Sequence, residues 1–568
     1  MSIKRKLNKA IPDSLKNIAS ALFGIGPYPK WKAIINTESI KWQNALKNAQ
    51  NGPRVLVATS VGSHRAGNIT ESTIAAALTL RGANVHVLLC DKFLPGCCVC
   101  LIAETQSMKK FTEHSAKAVG YCTRCFILAA KMYKDLGIKY YRYSELITKE
   151  EKSQAKRIAQ EVPFNEIGNY TYNGLKVGEH ALAGALRFFC TGDLDDESYG
   201  EKVLRQYLFS ALLTMFATSR LVLKNSYLSS IFFHGIYIPH GIIGEVARAN
   251  KVRVVNWNTS YRQKRFVFTH DDTYHHMLLW EPVSNWENMP WTEALEKQIM
   301  EYLFSREAGS RDWQQFNENA NPSIQAAEAE LGIDFSKPTI GLLPNVVWDA
   351  QLHYRANAFS NLIEWAMKTI EYFSRHPELQ LLIRVHPAEI KSANKSRQPL
   401  IKEIQKAFLN LPRNIYIIPP ESKISTYAVM QKCSAVLVYG TKTGVELTAR
   451  GIPVIVAGEA WIKNKGLTYD VTTPQEYFEI LGKLPLTTRM SKEQITRARK
   501  YAFHFFYRRA IYLGFMSKSS DSMSFRLGIK SISELMPGQS MGLDIICDGI
   551  LHKKEFIYPA ELGLEADE

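Results

Sequence analysis

The chain has 568 residues, more than one hydrophobic core usually supports, so we expect at least two domains. Hydrophobic residues make up 46% and charged residues 22%, which excludes an intrinsically disordered chain. Lys plus Arg exceed Asp plus Glu by 16 (70 against 54), so the surface should attract anionic partners. The basic residues are spread along the chain without a helix-turn-helix or a dense basic stripe, and we expect no nucleic-acid partner.

Residues 1–50 are predicted to form a basic, helical N-terminal segment. The segment lacks the apolar core and cleavage site of a signal peptide, so we predict a cytoplasmic protein. Residues 3–23 are partly amphipathic and could contact an anionic inner-membrane surface, and a solvated helix is the alternative. The apolar stretch Tyr207–Leu223 contains Arg220, and we interpret it as a buried helix rather than a membrane span.

Residues 51–308 are predicted to form a first Rossmann-like domain. An apolar strand is followed by the loop Ser60–Asn68 and a helix, for which Asn68 and Glu71 are a plausible capping pair. Open α/β sheets bind ligands at the carboxyl ends of their strands, which predicts a site near His64. The loop has no G-x-G-x-x-G pattern, so a dinucleotide cofactor is not indicated.

A helical insertion at about residues 97–223 contains two C-x-x-C pairs. The pairs are Cys97 with Cys100 and Cys122 with Cys125. This spacing is typical of a structural zinc site, and an iron–sulfur cluster or free thiols are the alternatives. Four thiolates would leave no open coordination position, so a zinc ion here would have a structural role.

Residues 309–335 are predicted to be a linker, and residues 336–490 a second Rossmann-like domain in which strands and helices alternate. The predicted strands are Thr339–Leu343, Leu379–Val385, Asn414–Ile418 and Ala435–Val438, and the predicted helices lie near Ala358–Phe373, Leu400–Leu409 and Ile424–Gln431. Residues 491–568 are predicted to form a helix that could cross back to the first domain and a C-terminal tail without an assigned function.

The segment Val438–Gly458 predicts a phosphate site. It reads as an apolar strand, a Gly/Thr loop, a short helix and a second strand. The loop should place free backbone N–H groups at a helix N-terminus, where an anionic oxygen is favoured. The loop residues are Gly440, Thr441, Thr443 and Gly444. Glu446 follows one turn later, where a carboxylate could bind sugar hydroxyls.

Further candidate residues follow other strands of the second domain. The sequence L-I-R-V-H-P-A-E brings Arg384 and His386 to a strand end, where an imidazole can donate a hydrogen bond to a phosphate. A structural histidine is the alternative. Asn345 and Asp349 follow the first strand of the domain. Ser422 follows the strand Asn414–Ile418 at a position suited to a nucleobase, which a plain turn explains equally well.

The order of these motifs resembles bacterial capsule and surface-polysaccharide biosynthesis glycosyltransferases, including Kdo-transferase-like members. The R-x-H-P strand end is followed about 50 residues later by G-T-x-T-G-x-E and G-I-P-V. The similarity is clearest over Leu343–Asp470. It implies an α/β, GT-B-like fold, with two Rossmann-like domains facing a cleft. It also implies that His386 and the Gly/Thr loop hold the donor phosphate, and that Glu446 binds donor sugar or ribose hydroxyls.

The resemblance implies transfer of a sugar from a nucleotide-sugar donor to a surface glycan or lipid-linked acceptor, with no metal cofactor for the chemistry. An inverting transferase needs a base near the acceptor hydroxyl, and His64, His234 and His240 are the candidates. Each of them could instead be a hydrogen-bonded core or loop residue. Two other functions stay open: a non-hydrolysing nucleotide-sugar 2-epimerase would need no acceptor, and a non-catalytic glycan-assembly scaffold would bind no donor.

Overall fold

The computed structural model describes residues 28–105, 107–114, 121–276, 278–307, 311–313, 320–349, 357–392, 394–486, 489–518 and 525–563. The possible membrane-contacting segment at residues 3–23 lies outside these ranges.

The first domain is built on a seven-stranded sheet with the order β13-β6-β5-β4-β1-β2-β3. Its strands are β1 (Arg54–Ser60), β2 (Asn84–Leu89), β3 (Lys139–Arg142), β4 (Ser229–Phe233), β5 (Arg253–Thr259), β6 (Arg265–His270) and β13 (Ile511–Tyr512). Strands β1 to β5 pair in parallel, whereas β6 and β13 are antiparallel. Strand β6 was not predicted from the sequence, because a hairpin connection lacks the intervening helix of a β-α-β unit.

Helices cover both faces of this sheet. They are α1 (Trp31–Asn36), α2 (Ser39–Ala49), α3 (Arg65–Leu80), α4 (Met108–His114), α5 (Tyr121–Leu136), α6 (Tyr143–Leu146), α7 (Lys149–Glu161), α8 (Val177–Phe189), α9 (Gly200–Asn225), α10 (His240–Ala249), α11 (Ser284–Glu287) and α12 (Glu293–Glu307). Helix α9 is long and apolar enough to span a membrane by length and composition, but 67% of its apolar window is buried inside the protein. It packs as a core helix of the first domain, as its interpretation from sequence predicted.

The predicted capping pair at the start of α3 is wrong. The helix begins at Arg65, so Asn68 and Glu71 both lie inside it and are buried. Asn68 Nδ2 donates to the carbonyl oxygens of Gly62 (2.8 Å) and His64 (2.8 Å). These contacts fix the loop between β1 and α3, and with it the position of His64.

The second domain is a six-stranded, fully parallel sheet with the order β12-β11-β10-β7-β8-β9. Its strands are β7 (Thr339–Leu343), β8 (Gln380–Arg384), β9 (Ile415–Ile418), β10 (Ala435–Val438), β11 (Val454–Val456) and β12 (Tyr469–Asp470). Its helices are α13 (Ile324–Leu331), α14 (Leu362–Ser374), α15 (Ala388–Lys391), α16 (Leu400–Ala407), α17 (Thr426–Met430), α18 (Thr443–Thr448) and α19 (Pro474–Leu481). The bounds of β7 and β10 are those predicted from the sequence.

Helix α14 shows why these segments fold as they do. Asn361 caps it by accepting the Glu364 N–H at 2.8 Å, which satisfies one of the unpaired donors of the first turn. Leu362, Trp365, Ala366, Thr369, Ile370 and Phe373 are its buried residues. They recur at intervals of three and four, so one apolar face of the helix packs against the sheet.

After the second sheet the chain returns to the first domain. Helix α20 (Lys492–Phe503) leads into β13, which pairs with β6 at the edge of the first sheet. The remaining elements are the hairpin β14 (Met516–Lys518) and β15 (Phe525–Leu527) and helix α21 (Met541–His552), and they contact α3 and β4. The predicted fold class is confirmed, since two α/β domains with largely parallel sheets face a cleft.

Ion pairs join the two domains beside this cleft. His276, after β6, lies 3.0 Å from Asp272 through Nδ1 and 2.9 Å from Glu459 of the second domain through Nε2. Burial disfavours its charged form, but the hydrogen bonds to the two carboxylates prevail and raise the pKa of His276 to about 9. Arg397 of the second domain makes a two-pronged contact with Glu197 of the insertion, at 2.7 and 2.9 Å.

The His276 contact predicts a pH-dependent contribution to stability. Its folded-state pKa lies above the ordinary value of 6.5, so the contribution is complete below about pH 6.5 and is lost as pH rises through about 9. We expect His276→Gln to lower the free energy of unfolding by about 2 kcal/mol at pH 6 and by much less at pH 9.5. Urea denaturation at both pH values measures this, with the exposed His114→Gln as control. An equal deficit at both pH values would contradict the assignment.

Candidate active site

A cavity of about 1160 Å³ lies between the two domains, at the carboxyl ends of strands from both sheets. The first domain contributes His64, His234 and His240 to its lining, and the second domain contributes Asn345, His386 and Thr441. Parallel strands that point into one gap bring together residues that are far apart in the sequence. With Asp349, Gly440 and Thr443, which also line the cavity, the structure gathers nine of the predicted site residues around one space.

The predicted phosphate loop lies at the end of β10, beside the end of β7, and Val438 pairs with Leu343. The Gly440 N–H donates to Asn345 Oδ1 at 3.3 Å. A side chain at Gly440 would bring its Cβ within 3.0 Å of Asn345 Nδ2, so the close approach favours glycine. Gly440 and Asn345 thus form the floor of the loop, while Gly444 is buried and does not line the cavity.

The loop holds its two threonines in a fixed arrangement. Thr441 Oγ1 lies 3.1 Å from Thr443 Oγ1 and also accepts the Thr443 N–H at 3.3 Å. Both residues line the cavity. Helix α18 has only six residues, so its dipole is small. Positive charge at this loop has to come mainly from a side chain.

Lys442, which was not predicted from the sequence, supplies that charge. Its Nζ lies 2.9 Å from Glu446 Oε1 and 4.7 Å from the centre of the Tyr261 ring, and the side chain lines the cavity. Burial, followed by the nearby Arg306, lowers the pKa of Lys442, while Glu446 opposes that shift. The available signal was the spacing K-x-x-x-E, which places Lys442 and Glu446 on one helical face.

Glu446 does not occupy the predicted position. The residue is fully buried and absent from the cavity lining, so its carboxylate does not face a sugar. Instead it accepts from the Tyr427 hydroxyl and pairs with Lys442 and, at 3.4 Å, with Arg306 Nε. Although burial opposes ionisation, Arg306 and Lys442 hold the pKa of Glu446 well below its usual range. Its carboxylate is an internal partner of the cation at the loop.

His386 reaches the cavity as predicted from its strand end. Its Nδ1 accepts the Ala388 N–H at 3.0 Å, so in the neutral ring Nε2 carries the proton and is a donor. Burial, with a further contribution from Lys442, lowers the pKa of His386 to about 4, so the ring is neutral at pH 7. The Ala388 contact therefore selects the tautomer that can donate a hydrogen bond to an anionic oxygen.

Arg384 and Ser422 lie outside the cavity, contrary to their predicted donor-binding role. The buried Arg384 guanidinium donates to the carbonyl oxygens of Pro419 and, at 3.2 Å, of Ser422. Ser422 Oγ donates to Glu330 at 3.0 Å. Both residues fix the turn after β9. Asp349, by contrast, lines the cavity as predicted.

The first-domain face of the cavity carries the three predicted histidines. His64 is half-buried and packs against the Phe233 ring, with centroids 4.4 Å apart. His240 is buried, and its Nε2 lies 3.3 Å from the Thr59 carbonyl oxygen. His234 has a left-handed backbone (φ 64°), a strained conformation of the kind found at functional sites. Its Nδ1 is buried and has no hydrogen-bond partner within the part of the chain that the structure describes.

All three imidazoles are neutral at pH 7. Burial, with Coulombic repulsion from His240 and Arg187, lowers the pKa of His64 to about 3. Burial lowers the pKa of His240 to about 4 and that of His234 well below its ordinary value. Neutral imidazoles can accept protons, so the face has the protonation state that a general base requires.

Arg187 is a second residue that the sequence analysis missed. It lies in the last turn of α8, and its guanidinium is 4.7 Å from the Tyr237 ring of the first domain and 5.9 Å from the Trp348 ring of the second. Its Nε is buried without a hydrogen-bond partner among the described residues. Helical periodicity does not predict that Arg187 lies at the cavity, because α8 reaches the cleft only through the folding of the insertion.

The four predicted zinc ligands do not form a site within the part of the chain that the structure describes. Cys97 and Cys100 have sulfurs 3.7 Å apart, a spacing that suits two ligands of one tetrahedral zinc ion. Cys125 Sγ accepts the Ser63 N–H at 3.2 Å. No group of three or more Cys, His, Asp or Glu side chains with metal-binding geometry occurs among the described residues. Cys97 and Cys100 are thus close enough to share one metal ion.

The zinc hypothesis therefore stays a prediction. Metal analysis of protein purified without a histidine tag should find one zinc ion per chain, with iron as the less favoured outcome. Replacing Cys97 and Cys100 together by serine should remove the metal. Protein without stoichiometric zinc or iron would show that these cysteines are not a metal site.

Comparison with known proteins supports the predicted family. Residues 336–485 match the family model described as "Capsule polysaccharide biosynthesis protein". No curated protein matches the chain. A KpsC beta Kdo 2,4 transferase of Thermosulfurimonas dismutans is 11% identical, with coverage of 55% of this chain and 88% of that chain and a TM-score of 0.32. A UDP-GlcNAc 2-epimerase of Neisseria meningitidis, bound to UDP-GlcNAc, is 10% identical, with coverages of 80% and 97% and a TM-score of 0.21.

These TM-scores are too low to support a conclusion about activity. The family match covers β7 to β12, and with them the loop Gly440–Gly444, Lys442 and His386. The resemblance predicted from the motifs is confirmed over this range: residues 336–485 match the model of the capsule polysaccharide biosynthesis protein family.

Proposed function

We propose that the protein is a GT-B glycosyltransferase that moves a sugar from a nucleotide sugar to a glycan or lipid-linked acceptor in capsule or cell-surface polysaccharide biosynthesis. The observation that carries this proposal is the composition of one cavity. A lysine and a hydrogen-bond-donating histidine lie on its second-domain side, and neutral histidines with an arginine lie on its first-domain side. Such a cavity suits a reaction in which a phosphate leaves and a hydroxyl attacks.

The donor side is suited to the negative charge that develops on a leaving phosphate. Lys442 would neutralise it, His386 would donate through Nε2, and the hydroxyls of Thr441 and Thr443 would contribute further hydrogen bonds. Donors that are held in place before the reaction stabilise a developing charge without reorganising. These groups would make a metal unnecessary for the chemistry. Glu446 would act on the donor only through Lys442.

The acceptor side is suited to activating a hydroxyl group. We assign the general base to His64, because it is partly exposed at the cavity whereas His240 Nε2 lies against the Thr59 carbonyl oxygen. The acceptor oxygen would bond to the anomeric carbon of the donor sugar as the bond to the phosphate oxygen breaks. The hydroxyl proton would pass to His64. Arg187 would bind an anionic group of the acceptor, in keeping with the net charge of +16.

The location of the protein is part of the proposal. A basic protein can associate with the anionic cytoplasmic surface of the membrane. We therefore place the reaction in the cytoplasm, with peripheral contact at the inner membrane when the acceptor is lipid-linked.

Ligand-dependent thermal stability tests the proposed function most simply. We expect one of UDP, CMP or GDP, or its sugar conjugate, to raise the melting temperature, because a ligand that binds only the folded state stabilises it by mass action. Turnover of that nucleotide sugar should then require an acceptor. Turnover without acceptor would favour the epimerase, and no stabilisation by any nucleotide would favour the scaffold.

A further inference from the structure

A buried charge network lies beneath the phosphate loop, and half of it comes from outside the family-matched range. Lys442 and Glu446 belong to the loop and α18, whereas Arg306 is in the last turn of α12 and Asp312 follows that helix. Arg262, after β5, forms an isolated β-bridge with Asp312. The connection between the two domains is thus more than the linker predicted at residues 309–335.

The contacts form a chain that ends at the cavity. Asp312 pairs with the Arg306 guanidinium, and the Tyr302 hydroxyl lies between them, 2.8 Å from Asp312 Oδ1 and 2.9 Å from Arg306 Nη1. Arg306 Nε is 3.4 Å from Glu446 Oε1, and the same oxygen is 2.9 Å from Lys442 Nζ. Asp312 and Lys442 line the cavity, while Glu446 and Arg306 do not.

Burial makes each member of this chain depend on its neighbour. The exposed fractions are 0% for the Glu446 side chain, 7% for Arg306, 10% for Asp312 and 18% for Lys442. Removing one partner of a buried pair leaves an uncompensated charge, which costs far more than the loss of an exposed pair. Lysine also has a flexible stem, so its ammonium stays at one point only if a partner holds it. Glu446 is that partner, and Arg306 fixes Glu446.

We propose that Arg306 is a positioning residue for the donor phosphate, acting through Glu446 on Lys442. The inference rests on the proposed function, since it takes Lys442 as the cation of the phosphate site. An arginine suits this role because its planar fork can meet Glu446, Asp312 and Tyr302 at once, which an ammonium group cannot. The phosphate site of the second domain is thereby completed by the connection from the first domain.

A purely structural ion network would have the same static geometry, and a double-mutant cycle separates the two roles. If Arg306 acts on the ligand only through Lys442, a substitution at Arg306 should not weaken ligand binding further in a protein that already lacks Lys442. If Arg306 merely supports the fold near the site, the two changes should affect binding independently.

The cycle measures the affinity of the full chain for a nucleotide by isothermal titration calorimetry. UDP and CMP are the probes, and the one that binds the wild-type protein more tightly is used for all variants. We expect Arg306→Lys to weaken binding about fivefold and Lys442→Met about twentyfold. The double variant should bind within about twofold of Lys442→Met alone, instead of the roughly hundredfold loss that independent effects would give. Arg499→Lys is the matched control: it removes a partly buried arginine that pairs with Glu296 outside the cavity, and it should leave binding unchanged.

Each outcome decides between the roles. Independent losses, or full binding by Arg306→Lys, overturn the inference while leaving the proposed function in place. A wild-type protein that binds neither probe overturns both. If Arg306→Lys does not fold, Glu446→Gln, which preserves the shape of the side chain, replaces it in the cycle and should show the same dependence on Lys442.

Discussion

Replacing Lys442 with methionine should lower kcat for sugar transfer by about 100-fold, which corresponds to roughly 2.7 kcal/mol in the activation barrier. The Lys442 ammonium is the cation that lines the cavity at the Gly/Thr loop, and helix α18 is too short to supply an equivalent charge. Methionine keeps most of the length of the side chain while removing the charge and the donors. Steady-state kinetics at saturating donor, followed by release of the nucleotide, measure the effect.

Two further variants show whether the effect comes from the charge. Lys442→Arg should recover part of the lost rate, because it restores a cation with altered geometry. Lys432→Met removes an exposed lysine of the same domain and should be neutral. A Lys442→Met enzyme with unchanged kcat would remove Lys442 from the mechanism, and it would leave the donor side without its principal cation.

Replacing His64 with glutamine should also lower kcat by about 100-fold, in the range typical for loss of a general base. His64 is half-buried, lies at the end of β1 and is held there by Asn68 through the carbonyl groups of the loop. Its depressed pKa of about 3 means that the imidazole is neutral throughout the physiological pH range. In the wild-type enzyme kcat/KM should thus be nearly level from about pH 7 to 8.5.

The assignment to His64 is checked by chemical rescue and by comparison with its neighbours. Imidazole added to His64→Gln should restore part of the rate, whereas it should not affect Lys442→Met. His376→Gln removes a histidine outside the cavity and is the control. If His240→Gln or His234→Gln loses more activity than His64→Gln and is the variant that imidazole rescues, the base is one of those residues and not His64.

The sequence predicted most of the fold because the pattern of the second domain is local. Each apolar strand there is followed by a helix, and β7 and β10 have the bounds predicted from residues alone. The antiparallel strands β6 and β13 were missed for the opposite reason. Strand β13 has two residues and joins its sheet from 241 positions beyond the end of β6, a pairing that no local pattern encodes.

The site was predicted where it depends on strand ends and missed where it depends on tertiary contacts. His64, His234, His386 and Thr441 reach the cavity because they lie in loops that leave strand ends, and His240 reaches it at the start of helix α10. Glu446 is an ionised carboxylate as predicted, but it lies in the interior and does not face the cavity. A carboxylate in a short helix could equally face a ligand or the interior. The Glu446 carboxylate faces inward because it pairs there with Arg306. Arg306 comes from a segment that was predicted to be the end of the first domain.

Arg187 shows the same limit for the acceptor side. It lies in an amphipathic helix whose other residues are mostly buried core, so its sequence pattern suggests only packing. The folding of the insertion onto the first sheet brings it between Tyr237 and Trp348. Residues that meet across domains in this way have no signature in a single sequence.

The most direct test of the account is a crystal structure of the protein with the nucleotide that stabilises it most. We predict phosphate density in the cavity between the two domains, within hydrogen-bond distance of Thr441, Thr443, Lys442 Nζ and His386 Nε2. A nucleotide bound elsewhere, or in the cavity with its phosphates directed away from Lys442 and His386, would contradict the proposed donor site.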